Sequence, residues 1–337
     1  MNYGGFSPDG REYIIDRQDT PSPWINYLYN GQYFSSISNN AGGISYFKSP
    51  LHGRITRYRI NDVPHDRPGK YIYVRDNDTG EFWSLSWQPT NRDPKAYRVA
   101  HGFGYTRMES EVEGIKSTVN YFVPLEDNQE VWKAVLTNTS GRPRNLSVFG
   151  YVELALGHAM VDLINQCDDQ HFNRVFIDKA QNALFATKTY WVTESKGTQQ
   201  QENKEWDQWS FFTVNHPVGA YETLREKFIG LYRNENNPVG LNQESLRSEN
   251  TDYGNAVAAL QVDIELQPGE STDVIFSLGV FPKESDTNFD NTSIKNHPSR
   301  IQKYYNPEVA QKALDDIVAH WDRFFAHTSV ETPDPEV

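Results

Sequence analysis

The densest group of potential metal ligands in the sequence is formed by Asp168, Asp169 and His171. The nine histidines are otherwise scattered, and no His-x-His, His-Glu-x-x-His or Cys-x-x-Cys spacing brings two ligands together. Because the soft ligands that select transition metals are missing here, a polar loop is the better interpretation of this group. We therefore expect no metal site.

Signatures of nucleophilic and phosphate-binding sites are missing from the sequence as well. Cys167 is the single cysteine, and the carboxylates of Asp168 and Asp169 beside it disfavour a reactive thiolate. The run His101-Gly102-Phe103-Gly104-Tyr105 has two glycines but neither the Lys-Ser/Thr of a P-loop nor the third glycine of a dinucleotide loop. No Gly-x-Ser-x-Gly occurs. Catalytic carboxylate pairs cannot be identified among 45 acidic residues, because such partners meet in space.

Aromatic and arginine side chains are concentrated near the N-terminus. Sugars place the apolar faces of their rings on aromatic side chains while polar groups bind the hydroxyls, so this cluster suits a carbohydrate site. A tyrosine-rich sheet core and interface explains the same residues at least as well. The residues are Trp24, Tyr27, Tyr29, Tyr33, Phe34, Tyr46, Phe47, Arg54, Arg57, Tyr58 and Arg59.

The composition is that of a folded, acidic protein of 337 residues. Aromatic residues make up 13%, unlike disordered chains, and no run approaches the about 18 apolar residues of a membrane span. The net charge of −13 argues against nucleic acid as a partner. A single cysteine excludes an internal disulfide, and the first residues lack the features of a signal peptide. We expect a cytoplasmic protein with no membrane partner.

Short strand patterns fill most of the chain. Apolar and polar residues alternate over 82–88, 131–136 and 273–280, which predicts half-buried strands. Residues 71–74 lead through the turn at 76–80 into the first of these, which indicates a hairpin. Many short strands separated by turns are typical of an antiparallel β-sandwich rather than of βαβ units.

One amphipathic helix follows near the C-terminus. Asn306 is a good N-cap and Pro307 suits the first helical position. The apolar residues that follow, Trp321 and Phe325 among them, keep a 3.6-residue spacing and must be buried against something. The sequence offers no evident partner for this stripe, so we expect it to face a further domain.

These patterns divide the chain into three parts. Residues 1–282 form the predicted β-sandwich domain, and residues 283–330 form a polar linker followed by the amphipathic helix. Residues 331–337 look like the start of a connection to a domain beyond Val337.

A series of short motifs occurs in the same order as in a known enzyme family. It includes Arg11-Glu12-Tyr13-Ile14-Ile15, Thr20-Pro21-Ser22-Pro23-Trp24, Ile37-Ser38-Asn39-Asn40-Ala41-Gly42-Gly43, Asp66-Arg67-Pro68-Gly69, Ser86-Trp87-Gln88-Pro89 and Tyr121-Phe122-Val123-Pro124-Leu125. With these motifs the chain resembles the N-terminal domain of glycoside hydrolase family 94, the cellobiose, chitobiose and cellobionic acid phosphorylases. The match is dense to about residue 160, thins over 160–260 and resumes at Leu266-Gln267-Pro268-Gly269-Glu270.

The resemblance implies a mostly β fold, a large antiparallel sandwich of the mutarotase-like supersandwich kind, then a helical linker and an (α/α)6 barrel. It implies a glycosyltransferase activity in which phosphate attacks the anomeric carbon of a β-linked disaccharide with inversion, giving an α-sugar 1-phosphate. Inorganic phosphate is a co-substrate, and no metal or organic cofactor is expected. The general-acid Asp of this family lies in the barrel, so we expect no catalytic residue in this chain and no turnover by it alone.

The resemblance also implies partners and candidate substrate-binding residues. Loops of the family's sandwich approach the acceptor sugar as a lid in a homodimer, and the sandwich contacts its own C-terminal (α/α)6 domain. One such loop matches residues 41–47, where relatives carry Phe-Tyr and this chain has Tyr46-Phe47, which moves the phenol to the opposite strand face. The other matches residues 165–174. There the candidates are Gln166 or Gln170 for a glutamine role and His171 or Arg174 for an arginine role.

Two other functions remain open. The chain is alternatively a stand-alone carbohydrate-binding or assembly module without catalysis, although an exposed apolar stripe argues against its independence. A mutarotase-like epimerase needs a histidine base and a carboxylate in one cleft, for which His101 with Glu109 or Glu111 is the nearest match.

Overall fold

The fold was examined in a computed structural model that describes residues 3–59, 65–189, 191–193, 202–283 and 297–327. The strands are β1 Gly4–Phe6, β2 Glu12–Ile15, β3 Ile25–Tyr29, β4 Tyr33–Ser38, β5 Ser45–Phe47, β6 Arg54–Thr56, β7 Tyr71–Asp76, β8 Phe82–Ser84, β9 Ala96–Gly102, β10 Tyr105–Val112, β11 Ile115–Phe122, β12 Gln129–Asn138, β13 Arg144–Gly157, β14 Asn173–Asp178, β15 Ala183–Lys188, β16 Trp191–Thr193, β17 Glu202–Lys204, β18 Gln208–Val214, β19 Ala220–Leu224, β20 Ala256–Leu266 and β21 Ser271–Pro282. The α-helices are α1 Ala159–Ile164, α2 Gln166–Asp169, α3 Arg225–Phe228, α4 Pro298–Ile301 and α5 Pro307–Phe325.

Nearly all of these strands belong to two large sheets. The ten-stranded sheet has the order β1-β2-β9-β10-β11-β12-β21-β18-β15-β14. The nine-stranded sheet has the order β19-β20-β13-β6-β5-β4-β3, with β7 paired to β13 and β8 paired to β7. Neighbouring strands run antiparallel. The predicted antiparallel, mostly β fold is confirmed.

The two sheets pack face to face on a core rich in aromatic side chains. Trp132 on β12 lies against Phe212 on β18, with ring centroids 5.2 Å apart, and Phe212 stacks on Phe276 of β21. Gly150 of β13 faces these rings from the other sheet, and a Cβ at this position would lie 2.5 Å from the Phe276 ring. Glycine is therefore required at this point of contact between the two sheets.

The alternation of apolar and polar residues predicted some strands correctly and one only in part. The strands expected at 131–136 and 273–280 lie within β12 and β21, and residues 71–74 lie in β7. The strand expected at 82–88 is wrong beyond Ser84, because the chain turns there. The Ser84 hydroxyl donates to the carbonyl of Ser86 (2.5 Å), so both serines are buried rather than exposed on a polar face.

Helix α5 begins as predicted, and it has a partner. The Asn306 side chain accepts a hydrogen bond from the Glu308 amide at 2.8 Å. The apolar side of the helix is buried on the outer face of the ten-stranded sheet, where Leu314 and Ile317 join the cluster of Val131 and Ile275. The expectation of an unpartnered stripe is therefore wrong for this part of the helix, because alternate residues of β12 face outward and cover it.

The end of the same helix is only partly covered. Trp321 and Phe325 pack beside Phe103 of the β9–β10 turn, with ring centroids 5.9 and 4.5 Å from it. Phe324 remains 60% exposed. The linker residues 284–296 and the segment 331–337 lie outside the described residues, so the proposed domain boundaries stay predictions. No helix among the described residues is long and apolar enough to cross a membrane.

Candidate functional site

A cluster of aromatic rings covers the outer face of the nine-stranded sheet at its β3 edge. Strands β3, β4 and β5 pair so that Phe34 lies between Tyr29 and Tyr46. Phe34 stacks on Tyr46 and contacts Tyr27 at 5.8 Å between centroids. Tyr27 and Tyr29 are 65% and 58% exposed. The N-terminal aromatic residues thus divide between a surface cluster and the core.

Tyr46 and Phe47 lie on opposite faces of this sheet, as the period of a strand requires. Tyr46 belongs to the outer cluster and is half-buried, whereas Phe47 points inward, pairs in register with Tyr33 and is 8% exposed. This burial argues against Phe47 as a substrate-contacting side chain, although the role itself stays a prediction. Of the predicted pair, only Tyr46 can contact a ligand at the surface.

A cleft of about 210 Å³ lies beside the aromatic cluster. Tyr46 pairs in register with Arg54, whose side chain lines the cleft together with Tyr58 and Arg59. Helix α1 closes the other side with Met160 and further apolar residues. The cleft therefore combines three arginines, an aspartate and a phenol with an apolar wall, a combination that suits polar small molecules with an apolar face.

Among the candidates of the 165–174 region, Gln166 hydrogen-bonds a residue that lines this cleft. Its Oε1 atom accepts a hydrogen bond from Arg59 Nη2 at 3.1 Å, and its Nε2 atom donates to Asn255 Oδ1 at 2.8 Å. Asn255 in turn donates to Glu226. The chain Arg59–Gln166–Asn255–Glu226 fixes the orientation of the Gln166 amide.

The other three candidates lie farther along the chain and have different surroundings. Gln170 turns back and donates to the carbonyl of Cys167 at 3.1 Å. His171 is exposed. Arg174 lies on β14, at the edge of the ten-stranded sheet, 3.5 Å from Asp252 and with its guanidinium over the ring of Phe176. The contacts thus favour Gln166 over Gln170 for a role at the cleft.

Two of the residues that line the cleft form a buried ion pair. Arg57 contacts Asp162 through two nitrogens, at 2.6 Å from Nη2 to Oδ1 and 3.1 Å from Nε to Oδ2. Burial alone would lower the pKa of Arg57, but the Asp162 and Glu153 carboxylates outweigh it and raise that pKa. Nearby, burial raises the pKa of Asp66 to about 6 although the Ser38 and Tyr58 hydroxyls donate to this carboxylate.

Three of the residues that shape the cleft, Arg54, Tyr58 and Arg59, stand out in the sequence only as part of the aromatic and arginine density. Arg54 and Tyr58 are four residues apart, so an extended chain from β6 onward could have placed them on one face. Met160 carries no such signal, because α1 is too short for a helical period.

Comparison with known proteins identifies the fold family. A model of the family described as "Glycosyl hydrolase 94, supersandwich domain" matches residues 11–307. The chain belongs to this supersandwich family. It is 34% identical to the N,N'-diacetylchitobiose phosphorylase of Vibrio furnissii, over 99% of this chain and 39% of that protein. A 3-O-beta-D-glucopyranosyl-beta-D-glucuronide phosphorylase of Paenibacillus borealis is 28% identical over the same shares. The chain thus spans about two fifths of the length of these relatives.

The supersandwich keeps His101 from serving as an epimerase base. Its Nε2 atom lies 3.0 Å from the carbonyl of Trp24 and its Nδ1 atom 2.9 Å from Thr106 Oγ1, so both ring nitrogens are occupied. Burial lowers the pKa of this imidazole to about 4. Glu111 accepts from Lys95, and Glu109 lies 3.5 Å from Arg107. These contacts contradict the epimerase hypothesis.

Proposed function

We propose that this chain is the sandwich part of a longer inverting disaccharide phosphorylase that acts on a β-linked disaccharide. The observation that carries the proposal is the match to the Vibrio furnissii phosphorylase over 99% of the chain, at 34% identity. In this reaction an oxygen of inorganic phosphate bonds to the anomeric carbon while the glycosidic bond to the leaving oxygen breaks. The products are an α-sugar 1-phosphate and a free sugar.

The reacting groups belong to the part of the protein that follows this chain. A general-acid Asp there donates its proton to the leaving oxygen, and phosphate takes the place of the water of an ordinary inverting hydrolase. The proposal includes no metal and no organic cofactor, and it places the protein in the cytoplasm.

The sandwich acts as a lid on the acceptor side of the active site in a homodimer. Tyr46, Arg59 and Gln166 are the residues through which it would contact the acceptor. The support is that Arg59 lines the cleft and bonds Gln166, and that Tyr46 is the cross-strand neighbour of Arg54, which also lines the cleft. Next to the cleft, α1 exposes Leu163 by 62% and Ile164 by 74%, an apolar surface of the kind that subunit interfaces bury.

A substrate panel tests the reaction. The longer protein is incubated with N,N'-diacetylchitobiose, cellobiose or a glucosyl glucuronide, each with and without inorganic phosphate. We expect one of these disaccharides to be consumed only when phosphate is present. Consumption that does not depend on phosphate would mean hydrolysis and would contradict the proposal.

Alanine variants test the lid. Gln166→Ala is expected to raise the KM for the acceptor sugar by about tenfold, because it removes a hydrogen-bonding group that Arg59 orients. Gln267→Ala is the matched control, because Gln267 is an exposed glutamine in the turn between β20 and β21. Equal effects of the two substitutions would contradict the assignment of Gln166.

The aromatic cluster favours a second candidate, a module that binds carbohydrate without catalysis. Tyr27, Tyr29 and Tyr46 present rings on one surface, and sugar rings stack on such surfaces. Calorimetric titration of this chain with cellobiose and N,N'-diacetylchitobiose tests it. Binding at about millimolar Kd or tighter would favour this candidate, whereas a phosphorylase lid is expected to bind neither sugar without the active site.

A further inference from the structure

Residues 158–172 form a segment whose short helices would not be stable in isolation. It contains α1 with six residues, α2 with four and a single 3-10 turn, Gln170–Phe172. Helices this short are unstable in water by themselves. The large apolar residues of α1 do not anchor it either, since Met160, Leu163 and Ile164 are 45%, 62% and 74% exposed. The segment must therefore be held by other contacts.

Each of the two helices buries one residue, and in both cases that residue is an aspartate. Asp162 is the buried residue of α1, and Asp169 is the buried residue of α2. Asp162 receives the two-nitrogen ion pair from Arg57, which follows directly after β6 of the nine-stranded sheet and is 4% exposed. An arginine in this geometry fixes both the position and the orientation of a carboxylate.

The second aspartate is held by the other sheet. Lys188, the last residue of β15 in the ten-stranded sheet, is 1% exposed and forms an ion pair with Asp169. Its Nζ atom also donates to the carbonyl of Ala155 at 2.9 Å, which ties the lysine to the strand preceding α1. The segment is thus attached through one cation to each sheet of the sandwich.

A second carboxylate, that of Glu153, also holds the Arg57 guanidinium in place. Glu153 on β13 lies 3.5 Å from Arg57 Nη1 and also accepts hydrogen bonds from Arg225 at 2.7 Å and from the Tyr151 hydroxyl at 3.0 Å. Buried ion pairs of this kind add little net stability, and their best-supported use is to specify one arrangement of the chain.

We propose that Arg57–Asp162 and Lys188–Asp169 are two clamps, and that these four positioning residues hold Gln166 in register with the cleft. The clamps make the segment 158–172 a preformed wall of the site. Their structural role is independent of the reaction, whereas their effect on the acceptor sugar rests on the proposed function.

Hydrogen exchange tests the structural role on this chain. In Asp162→Asn and in Asp169→Asn, one buried cation loses its partner, and we expect amide exchange within 158–172 to accelerate by about tenfold or more while the central strands stay protected. Asp273→Asn is the matched control, because Asp273 pairs with the buried Lys133 at 2.8 Å far from the segment. If Asp162→Asn does not fold, Arg57→Lys, which keeps the charge and loses the two-nitrogen geometry, replaces it. Unchanged exchange in the segment, or an equal increase throughout the chain, would overturn the proposal.

Kinetics of the longer protein test the consequence for the site. With N-acetylglucosamine as acceptor and α-N-acetylglucosamine 1-phosphate as donor, Asp169→Asn should raise the KM of the acceptor by about fivefold or more and leave the KM of the donor and kcat nearly unchanged. A fall in kcat with an unchanged acceptor KM would overturn the link to the acceptor. If the unaltered protein is inactive on every sugar tested, the proposed function fails, and the exchange result still decides the clamps.

Discussion

The ring of Tyr46 stacks on the ring of Phe34, with centroids 4.6 Å apart and 20° between the planes. The two residues are cross-strand neighbours in register on the outer face of the nine-stranded sheet. Because Phe34 supports one side of the Tyr46 ring, the ring is held in place before any sugar arrives.

This stacking leads to a prediction about the phenol. Tyr46→Phe keeps the ring and should change the acceptor KM of the longer protein only slightly if the ring face is what the sugar contacts. Tyr46→Ala should raise it by about tenfold and cost about 1 kcal/mol of folding stability through the lost aromatic pair. Tyr232→Ala is the control, because Tyr232 is fully exposed. Equal increases in the acceptor KM for Tyr46→Phe and Tyr46→Ala would show instead that the hydroxyl makes the contact.

A buried ion pair inside the sandwich allows a second prediction. Lys70 Nζ lies 3.1 Å from Glu130 Oε2, and both side chains are almost completely buried. Lys70→Met leaves the Glu130 carboxylate without its cation, and we expect a loss of about 3–5 kcal/mol in the free energy of unfolding. The double variant Lys70→Met/Glu130→Leu should be more stable than the sum of the single changes implies. Urea denaturation measures all three, and strict additivity would count against this account.

Asp66 predicts a pH dependence of stability. Its folded-state pKa of about 6 lies above the ordinary aspartate value of 3.8, so between these values the folded chain binds a proton that the unfolded chain does not. The contribution of this group is therefore present at low pH and lost as pH rises through about 6. The difference between the two pKa values corresponds to about 3 kcal/mol of folding stability.

The measurement compares the unaltered chain with Asp66→Asn in urea at several pH values. Between pH 4 and pH 7 the stability of the unaltered chain relative to Asp66→Asn should fall by an amount of that order. Asp93→Asn, at an exposed position, should show no such trend. A constant difference between the Asp66 variant and the unaltered chain would refute the raised pKa.

The packing of α5 gives a further prediction. Leu314 is 7% exposed in the cluster between this helix and the ten-stranded sheet, so Leu314→Ala should cost about 2–4 kcal/mol. Phe324→Ala, ten residues farther along the helix and 60% exposed, should change stability by less than about 0.5 kcal/mol. Thermal unfolding of the two variants checks this. Similar losses, or a negligible loss for Leu314→Ala, would mean that the helix does not pack on the sheet as described.

Local sequence patterns were enough to predict single strands and helices. Alternation placed β12 and β21, and Asn306 with Pro307 placed the start of α5, because these signals depend on neighbours in the sequence. The strand beyond Ser84 could not be excluded in this way. Its two serines satisfy their hydroxyls on backbone carbonyls within the turn and are buried, which a polar residue type does not reveal.

Contacts between distant parts of the chain could not be predicted from the sequence. Arg57 and Asp162 are separated by 105 positions, and many other acidic residues could have paired with this arginine. The partner of the α5 stripe was missed for a similar reason, since Val131 and Ile275 become an outer surface only once β12 and β21 pair. The resemblance to family 94 pointed to residues 41–47 and 165–174, whose contact with substrate stays a prediction, while the cleft between β6 and α1 emerged from the three-dimensional arrangement.

Phosphorus NMR of two samples tests the central claim most directly. This chain and the longer protein are each incubated with N,N'-diacetylchitobiose and inorganic phosphate, and the appearance of a sugar 1-phosphate and the configuration of its anomeric carbon are followed. The account predicts an α-sugar 1-phosphate with the longer protein and no product with this chain. Turnover by this chain, or a β-sugar 1-phosphate from the longer protein, would contradict it.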